Sequence, residues 1–440
     1  MTPSPQQLLD NAPMSRLQVI AVILCVLLNA LDGFDVLAIS FAAPGIADEW
    51  GISRGMLGVV LSMELIGMAV GSVVLGGVAD RAGRRPTILG CLLIMSSGMF
   101  LASLARDVYM LSVIRLVTGL GIGGMLAATN AMTAECSNNR WRNANVAIMA
   151  TGYPLGVIAG GSIASVLLAS FDWRAVFQFG AAVTALMIPL VWLFLSESVS
   201  YLLQRRPAGA LPRINGILAR MGHPPLASLP EAPAQVRRAS WSELFSPGLA
   251  STTILLTVAY FTHIMTFYFI LKWIPKIVVD MGFSASLAGG VLVWANVGGA
   301  TGSILLGLLT RKFNVRVLVL GALLGAAVMV CVFGRGQADL TQLALVAAAA
   351  GFFTNSAIVG MYAIFAQSFP TEVRAGGTGF VIGLGRGGAA LGPIVAGLLF
   401  ESGQGLSSVA FVMAMGSLVA AMMMLLLLLR RRKAGVLSHV

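Results

Sequence analysis

Long apolar stretches alternate with short polar segments along most of the chain. A helix needs about 20 mostly apolar residues to cross the hydrocarbon core of a bilayer. Twelve stretches reach or approach that length between charges, turns and clusters of Gly or Pro. The alternation predicts an all-α membrane protein with twelve transmembrane helices. The predicted spans are 17–43, 55–78, 87–104, 108–132, 144–169, 174–195, 249–271, 285–309, 317–333, 341–366, 377–400 and 407–429.

The segment 197–248 interrupts this alternation, because it has no long apolar run and contains six arginines and seven prolines. It predicts a cytoplasmic linker between an N-terminal six-helix bundle (1–196) and a C-terminal six-helix bundle (249–440). The second bundle is predicted to end in a short basic cytoplasmic tail. Within the linker, residues 211–221 are expected to form a short surface helix.

Two loops of the first half recur in the second half. Residues 76–85 resemble 307–316 at an offset of 231, and residues 134–142 resemble 366–374 at an offset of 232. Many transporters are built from such repeats, with the substrate site at the interface between them. The repeat therefore predicts two related bundles that share a central site.

The amino-acid composition agrees with a membrane location. The chain is 58% hydrophobic and only 10% charged, whereas roughly a quarter of the residues in an ordinary soluble domain carry charge. A nucleic-acid-binding protein with this net charge of +11 would need a soluble core that the composition does not provide. We therefore expect no nucleic-acid partner.

The basic residues predict the orientation in the membrane. With the N-terminus in the cytoplasm, 20 of the 28 Lys and Arg residues fall in inner segments and six in outer segments, as the positive-inside rule requires. Both termini are therefore predicted to be cytoplasmic, in the plasma membrane of a bacterial cell (its inner membrane). The six outer residues are Arg54, Arg106, Arg174, Lys272, Lys276 and Arg335, and the other two, Arg115 and Arg386, lie within predicted helices.

Three carboxylates, Asp32, Asp35 and Glu64, fall inside predicted helices rather than in loops. An ionisable group in the membrane is costly and usually marks a functional site. Asp32 and Asp35 share one face of helix 1, and Glu64 and Arg115 lie at comparable depths in helices 2 and 4. We predict a proton-coupling cluster of these four residues, in which Arg115 stabilises one carboxylate and another carries a proton. The alternative is a static ion pair that joins helices 1 and 4.

In the second half, Arg386 lies in a glycine-rich part of helix 11 with no acid in the helices of its own half. A buried guanidinium needs an anion, and a substrate carboxylate fits its bidentate geometry. The alternative is that Arg386 binds main-chain carbonyls exposed by the surrounding glycines. His263 lies in the middle of helix 7. It either contacts substrate or passes a proton, or it is a packed, hydrogen-bonded side chain.

Aromatic and amide side chains accompany His263 in the second half. Trp273, beside Lys272, is predicted to lie in the interfacial belt. Other aromatic residues are deep enough to line a cavity for a flat apolar ligand with one carboxylate. The predicted substrate-binding residues are Arg386, His263, Tyr260, Phe267, Trp294, Asn296, Asn355 and Tyr362.

The sequence predicts no cofactor and no metal, because the four cysteines lack the spacing of metal ligands. It also contains no phosphate-binding motif of an ATPase. Transport is therefore expected to draw on an ion gradient or on the gradient of the substrate itself.

The loop after helix 2 carries a recognisable motif. Residues 76–88 read GGVADRAGRRPTI, which resembles the G-x-L-A-D-R-x-G-R-K-x-x-L signature of the major facilitator superfamily. The resemblance implies a fold of two six-helix bundles and transport by alternating access.

Four shorter segments, 32–35, 197–201, 370–374 and 385–386, resemble the aromatic acid:proton symporters of that superfamily. This resemblance implies uptake of benzoate-type and hydroxylated aromatic carboxylates. It also implies that the helix 1 Asp pair and Asp80 are needed for transport, and that Arg115 and Arg386 attend the substrate or proton path. Glu64 departs from the pattern of these symporters.

The signature loop is predicted to act as a conformational latch. Asp80 is expected to accept hydrogen bonds from a neighbouring helix N-terminus, where the helix dipole favours an anion, and the arginines are expected to hold helix ends together. The alternative is that these arginines only obey the charge rule. The predicted latch residues are Asp80, Arg81, Gly83, Arg84 and Arg85.

Together these features predict a secondary active transporter rather than an enzyme, importing an organic acid, most simply an aromatic carboxylate, with at least one proton. The expected partners are a small organic anion, protons and membrane lipids, and the protein is expected to be monomeric. The alternatives are a proton-driven exporter of drugs or metabolites on the same fold, a symporter of a non-aromatic carboxylate, and a non-transporting sensor or scaffold.

Overall fold

The computed structural model describes residues 5–230, 241–370 and 373–437, and the regular structure within these ranges is helical throughout. The helices are α1 (Pro5–Asn11), α2 (Arg16–Trp50), α3 (Arg54–Ala82), α4 (Arg84–Ser103), α5 (Val108–Cys136), α6 (Arg142–Ser170), α7 (Arg174–Phe194), α8 (Val199–Arg205), α9 (Ala210–Met221), a 3-10 turn (Trp241–Phe245), α10 (Ala250–Asp280), α11 (Ala285–Leu309), α12 (Val315–Gly334), α13 (Leu340–Ser368), α14 (Arg374–Glu401) and α15 (Leu406–Leu437).

Within the described residues, twelve helices are long and apolar enough to cross a membrane: α2 to α7 and α10 to α15. This number confirms the prediction from the sequence. Several helices are longer than the predicted spans, and α2 continues to Trp50 although the predicted span ends at 43. The predicted spans stop at polar residues or proline, whereas the helices continue to the next loop.

Helix α10 corrects two predictions. The predicted span ends at 271 because Lys272 follows, but the helix continues to Asp280. Lys272 and Trp273 are both buried, with 0% and 1% of their surfaces exposed. The assignments of Lys272 to an outer segment and of Trp273 to the interfacial belt are therefore wrong.

The linker contains two short helices, α8 and α9. The predicted helix at 211–221 is confirmed as Ala210–Met221. Its residues Ile214 and Leu218, one turn apart, are fully buried and belong to an apolar cluster with Leu202 of α8 and Leu9 of α1. The helix therefore has one packed face, which the i, i+4 spacing of its apolar residues creates. Residues 231–240 of the linker lie outside the described residues.

The chain packs as two compact units. The first comprises Met1–Ala38, Gly67–Gly160 and Arg174–Val236, and the second comprises Ile39–Ile66, Gly161–Trp173 and Arg237–Val440. The boundary between the units thus cuts through α2, α3 and α6. As a result, the first part of α3 packs with helices of the second half of the chain.

In the first unit, glycines bring α2 and α6 into main-chain contact. A Cβ atom on Gly156 would lie 1.7 Å from the carbonyl oxygen of Ala30, so a larger residue would force the two helices apart. Close contact at small residues is a common mode of helix packing in membranes. Nearby, Asn29 Nδ2 donates to the carbonyl of Met149 at 2.7 Å. This crossing fixes the part of α2 that carries Asp32 and Asp35.

In the second unit, the first turns of α3 lie against α14. A Cβ atom on Gly58 would lie 2.5 Å from the carbonyl oxygen of Pro393. The end of α3 is also tied to α10, because Arg54 Nη2 lies 3.1 Å from Asp280 Oδ2. These contacts position Glu64, which is further along α3.

Candidate functional site

The first unit holds a buried acidic site on α2. Asp35 is fully buried and Asp32 is 2% exposed. Arg115 of α5 reaches this site, and its Nη2 donates to the main-chain carbonyl of Asp35 at 2.8 Å. The Arg115 guanidinium also lies 3.0 Å from Met99 Sδ and 5.4 Å from the ring centroid of Phe177. The structure thus brings Arg115 to the main chain of Asp35, and stabilisation of a carboxylate by Arg115 stays a prediction.

Asp32 is the less well satisfied of the two acids. Within the part of the chain that the structure describes, neither carboxylate oxygen of Asp32 has a hydrogen-bond partner. Its charge also interacts with that of Asp35. A buried carboxylate without a partner loses its hydration without compensation. Asp32 is therefore the group at which a charge is most expensive in this unit.

Glu64 has a different partner from the one predicted. It belongs to the second unit, where its Oε2 lies 3.6 Å from Nζ of Lys272 on α10, and both side chains are fully buried. The ion pair with Lys272 was not predicted from the sequence, and the expected association of Glu64 with Arg115 stays a prediction. Sequence reasoning missed Lys272 because it treated the charge as the end of a span, although an apolar run resumes after it at Trp273.

The second unit also holds an aromatic cluster near Arg386. The hydroxyls of Tyr260 on α10 and Tyr362 on α13 are 2.9 Å apart. Phe365 meets the Tyr260 ring edge to face, with centroids 5.4 Å apart, and it was not among the predicted residues. Arg386 follows Gly385, on which the Tyr260 ring packs. A cation, two phenols and a third ring therefore lie close together.

A glycine allows this cluster to form. A Cβ atom on Gly385, the residue before Arg386, would lie 2.1 Å from the Tyr260 ring. Only glycine lets the ring pack directly on α14. The glycine-rich sequence around Arg386 thus has a structural role beside the predicted one, because it brings the guanidinium of α14 to the aromatic side chains of α10 and α13.

His263 is a packed, hydrogen-bonded residue in this structure, as one of the two sequence interpretations proposed. It is fully buried. Nε2 donates to the carbonyl of Thr354 at 2.9 Å, and Nδ1 lies 2.9 Å from Ser417 Oγ. These contacts link α10 with α13 and α15. Contact between His263 and the substrate stays a prediction.

Asn296 and Asn355, both predicted to bind substrate, form hydrogen bonds within the second unit. Asn296 Nδ2 donates to the carbonyl of Leu292 at 2.9 Å. Asn355 Nδ2 donates to the carbonyl of Gly299 at 3.0 Å and to Ser303 Oγ at 2.9 Å, which joins α13 to α11. Asn355 therefore stabilises the contact between α13 and α11, whereas Asn296 bonds within α11.

Two predicted aromatic residues lie apart from these hydrogen bonds. Trp294 exposes 53% of its surface, and Phe267 packs edge to face on Tyr268 with centroids 5.3 Å apart. Their contact with substrate stays a prediction.

The signature loop forms a network centred on Arg84. Nη1 lies 3.2 Å from Asp80 Oδ1, and Nη2 donates to Glu135 Oε1 at 2.8 Å. Arg85 Nη2 donates to the carbonyl of Trp192. The arginines at 84 and 85 therefore connect the ends of α3, α5 and α7 within the first unit, as a latch would require.

The acid that caps α4 is Glu197 rather than Asp80. Glu197 Oε1 accepts hydrogen bonds from the main-chain N–H groups of Arg84 and Arg85 at 3.0 and 3.4 Å, where the helix dipole favours an anion. The side chain of Asp80 is 57% exposed and pairs with Arg84, so the prediction that Asp80 caps this helix is wrong. Burial raises the pKa of Glu197 in spite of these hydrogen bonds and the neighbouring Arg84.

The other predicted latch residues, Gly83 and Arg81, contribute through their main-chain conformation and main-chain hydrogen bonds. Gly83 has φ = 111°, and a Cβ there would lie 2.3 Å from Glu197 Oε2, so glycine is required for both conformation and space. The side chain of Arg81 is exposed, but its carbonyl accepts a hydrogen bond from Tyr201 Oη at 2.9 Å. Arg205 Nε donates to the carbonyl of Asp80 at 2.8 Å. Helix α8 of the linker is thereby fastened to the signature loop.

Within the described residues, twelve helices are long and apolar enough to cross a membrane, and ionisable side chains are buried among them. These features define an integral, multi-pass membrane protein. The sequence model of the Major Facilitator Superfamily matches residues 25–314 and 256–438. The chain belongs to this superfamily, and it is a transporter rather than an enzyme.

Individual relatives are similar over nearly the whole chain. The chain is 32% identical to the "Gallate transporter" of Pseudomonas putida, over 94% of this chain and 92% of that protein. It is 29% identical to the "4-hydroxybenzoate transporter PcaK" of Acinetobacter baylyi, again over 94% and 92%. It is 27% identical to the "Benzoate transport protein" of the same organism, over 90% and 86%. These names support the sequence resemblance to aromatic acid transporters.

A solved structure shares the fold. The xylose transporter XylE from E. coli, in a partially occluded inward open conformation, matches with a TM-score of 0.71 over 93% of this chain and 97% of that chain. The sequence identity is 17%, so this similarity concerns the fold alone.

Proposed function

We propose that the protein is a proton-coupled symporter that takes up an aromatic carboxylate of the benzoate or hydroxybenzoate type by alternating access. The observation that carries the proposal is the cluster of Tyr260, Tyr362 and Phe365 beside Arg386. The names of the relatives, gallate, 4-hydroxybenzoate and benzoate transporters, support the same class of substrate.

The chemistry of the cluster matches such a substrate. A guanidinium binds a carboxylate through two parallel N–H···O bonds, and aromatic rings pack against a flat ring at offset or edge-to-face geometry. The hydroxyls of Tyr260 and Tyr362 already form a hydrogen bond to each other at 2.9 Å. In the same way, they can accept a hydrogen bond from a phenol group of the substrate or donate one to it.

The proton is assigned to the acidic site of α2. Asp32 is buried, and within the described chain its oxygens have no hydrogen-bond partner, so uptake of a proton removes an expensive buried charge. Asp35, held next to Arg115 through its main chain, is the second member of the coupling site. Proton binding at this site and anion binding near Arg386 together keep the change in charge small as the carrier reorients.

The orientation completes the proposal. The charge asymmetry supports cytoplasmic termini and a place in the inner membrane of a bacterial cell. The Arg84 network on the cytoplasmic side would then hold the helix ends in one conformation and release them in another. We propose that a single chain suffices for transport, with the substrate anion, protons and membrane lipids as its partners.

Uptake of labelled 4-hydroxybenzoate into right-side-out vesicles tests this function. An inward proton gradient should drive accumulation, and a protonophore should abolish it. Arg386→Gln should lose uptake, whereas the matched Arg386→Lys variant, which keeps the charge, should retain part of it. A neutral analogue, 4-hydroxybenzamide, should not accumulate.

Three results would contradict the proposal. Proton-driven efflux of the labelled acid would indicate an exporter. Gradient-driven uptake of aliphatic but not aromatic carboxylates would change the substrate class. Specific binding without any flux would indicate a sensor.

A further inference from the structure

The Glu64–Lys272 ion pair has no part in the function proposed so far. The two charged atoms lie 3.6 Å apart, and both side chains are fully buried. Glu64 is on α3, which belongs to the first half of the sequence, and Lys272 is on α10, in the second half. Within the second unit, these residues therefore connect helices that come from different halves of the duplicated chain.

Glu64 and Lys272 lie at similar distances from the predicted outer ends of their helices. Glu64 is ten residues after Arg54, the first residue of α3, and Lys272 is eight residues before Asp280, the last residue of α10. At a rise of 1.5 Å per residue these separations are ~15 and ~12 Å from the predicted outer ends. At those ends, Arg54 and Asp280 form a second, more exposed contact at 3.1 Å. The two helices are therefore joined at two levels.

Lys272 lies in a tightly packed part of the second unit. The next residue, Trp273, is buried, and its Nε1 donates to the carbonyl of Pro393 at 3.1 Å. The same carbonyl would lie 2.5 Å from a Cβ on Gly58 of α3. Helices α3, α10 and α14 thus meet at a point next to the pair, and the ammonium group cannot reach bulk water from this position.

A buried ammonium group requires an anion, because loss of its partner leaves an uncompensated charge in a medium of low dielectric. Under alternating access, the helices of the two halves move apart on the outer side when the substrate enters. Glu64 and Lys272 must then separate. Lys272 is left on α10, facing the opened space, with a charge that a carboxylate can neutralise.

We propose that Lys272 exchanges carboxylate partners during transport, binding Glu64 when the outer side is closed and the substrate carboxylate when it is open. This inference rests on the proposed function. It assigns Lys272 to an outer binding site for the substrate anion and makes Glu64 its intramolecular competitor. Re-formation of the ion pair on closure then displaces the anion from Lys272.

The displaced anion has a second cation deeper in the protein. Tyr260, which packs on Gly385 next to Arg386, is twelve residues before Lys272 on α10. This places the level of the aromatic cluster ~18 Å further from the outer end of α10 than Lys272. The carboxylate would therefore pass from Lys272 to Arg386 as the outer side closes.

Matched neutral variants test this exchange. Binding of benzoate and of its neutral isostere benzamide is measured at the outer face of right-side-out vesicles for wild type, Glu64→Gln and Lys272→Gln. Lys272→Gln should weaken benzoate binding by at least about tenfold, the loss of one charge-assisted contact, and leave benzamide unchanged. Glu64→Gln should bind benzoate as tightly as wild type or more tightly, because the competitor of the substrate has been removed.

Equal weakening of benzoate binding by both single variants would overturn the exchange. An ion pair that only holds the two helices together is lost in the same way when either partner is replaced. Lys272→Arg, which keeps the charge, should retain benzoate binding, and its complete loss would contradict an electrostatic role. If the single variants do not fold, the double variant Glu64→Gln/Lys272→Gln decides, because it removes both charges together. It should bind benzoate as weakly as expected for Lys272→Gln, and an unchanged affinity would overturn the inference.

The wild-type protein separates this inference from the proposed function. Wild type that binds and accumulates benzoate, with Lys272→Gln indistinguishable from it, would remove the exchange and leave the symporter intact. Wild type that neither binds nor transports any aromatic carboxylate would remove the proposed function itself.

Discussion

The two buried acid sites of this protein solve the same electrostatic problem in different ways. In the second unit, Glu64 is matched by one cation, Lys272, at 3.6 Å. In the first unit, two acids lie near one cation, and Arg115 directs one hydrogen bond to the main-chain carbonyl of Asp35. Asp32 has no hydrogen-bond partner within the described chain.

The difference indicates which site holds an ion pair and which site takes up and releases a proton. A matched pair keeps both groups ionised, and its separation is opposed until another ion or water replaces the partner. A buried carboxylate without a partner is stabilised when it is neutral, because only then is no charge left without compensation. We therefore assign proton coupling to the α2 site, and anion binding and closure to the Glu64–Lys272 pair.

The largest expected effect comes from removing one of the two carboxylates of the α2 site. Asp35→Asn should abolish proton-driven accumulation of 4-hydroxybenzoate, reducing it to the level of vesicles without the protein, because the amide cannot take up and release a proton. Binding, or exchange of labelled for unlabelled substrate, should remain measurable. Accumulation at the wild-type level by this variant would remove Asp35 from coupling.

The next effect is on stability and contrasts the two sites directly. Glu64→Gln removes the carboxylate that lies 3.6 Å from the buried ammonium group of Lys272, and we expect a loss of about 3–5 kcal/mol of stability, measured as a lower midpoint of thermal unfolding in detergent. Asp32→Asn makes the same type of change but removes a carboxylate that lacks a hydrogen-bond partner, so the midpoint should stay the same or rise. The double variant Glu64→Leu/Lys272→Met should recover most of the loss. Equal destabilisation by Glu64→Gln and Asp32→Asn would show that the two sites are alike.

A smaller effect is expected at the aromatic cluster. Tyr362→Phe removes one of two hydroxyls that lie 2.9 Å apart, and a hydrogen bond of this kind contributes about 0.5–1.5 kcal/mol. The affinity for 4-hydroxybenzoate should fall by about two- to tenfold, whereas that for benzoate, which has no phenol group, should change little. A competition assay with both acids measures this ratio. Parallel losses for the two ligands would indicate a packing role alone.

The smallest effect concerns the acid that caps α4. Because burial raises the pKa of Glu197, its protonated form is favoured by folding. Its contribution to stability is therefore complete below its unfolded pKa and is lost as the pH rises through the folded value. Thermal unfolding midpoints of wild type should decline over this mildly acidic range, and those of Glu197→Gln should decline less. A steeper decline in the variant would contradict the direction of the shift.

The residues that sequence reasoning placed well are those whose role depends on local sequence. The number of spans follows from the length of the apolar runs, helix α9 follows from its i, i+4 apolar pattern, and Gly83 and Gly385 lie at positions where any side chain would collide with a neighbour. Asp32 and Asp35 were found because an acid within an apolar run is rare and visible.

The misplaced residues are those whose partners lie far away in the chain. Lys272 was assigned to a loop, although Glu64, 208 positions earlier, neutralises it inside the protein. Asp80 was given the helix cap that belongs to Glu197, 113 positions after the capped Arg84. Contact of His263, Asn296 and Asn355 with the substrate stays a prediction, and in this structure all three form hydrogen bonds within the second unit.

The sequence by itself determined that this chain crosses a membrane twelve times and which of its charged residues fall inside the spans. It also determined which family the signature loop resembles. These features could be predicted because hydropathy, charge and short motifs act over one helix or one turn. Only the tertiary structure decided which cation neutralises which acid and which polar groups are already satisfied. Pairing depends on distances of a few ångströms between helices remote in the chain, and the Coulomb energy in a medium of low dielectric changes steeply over that range.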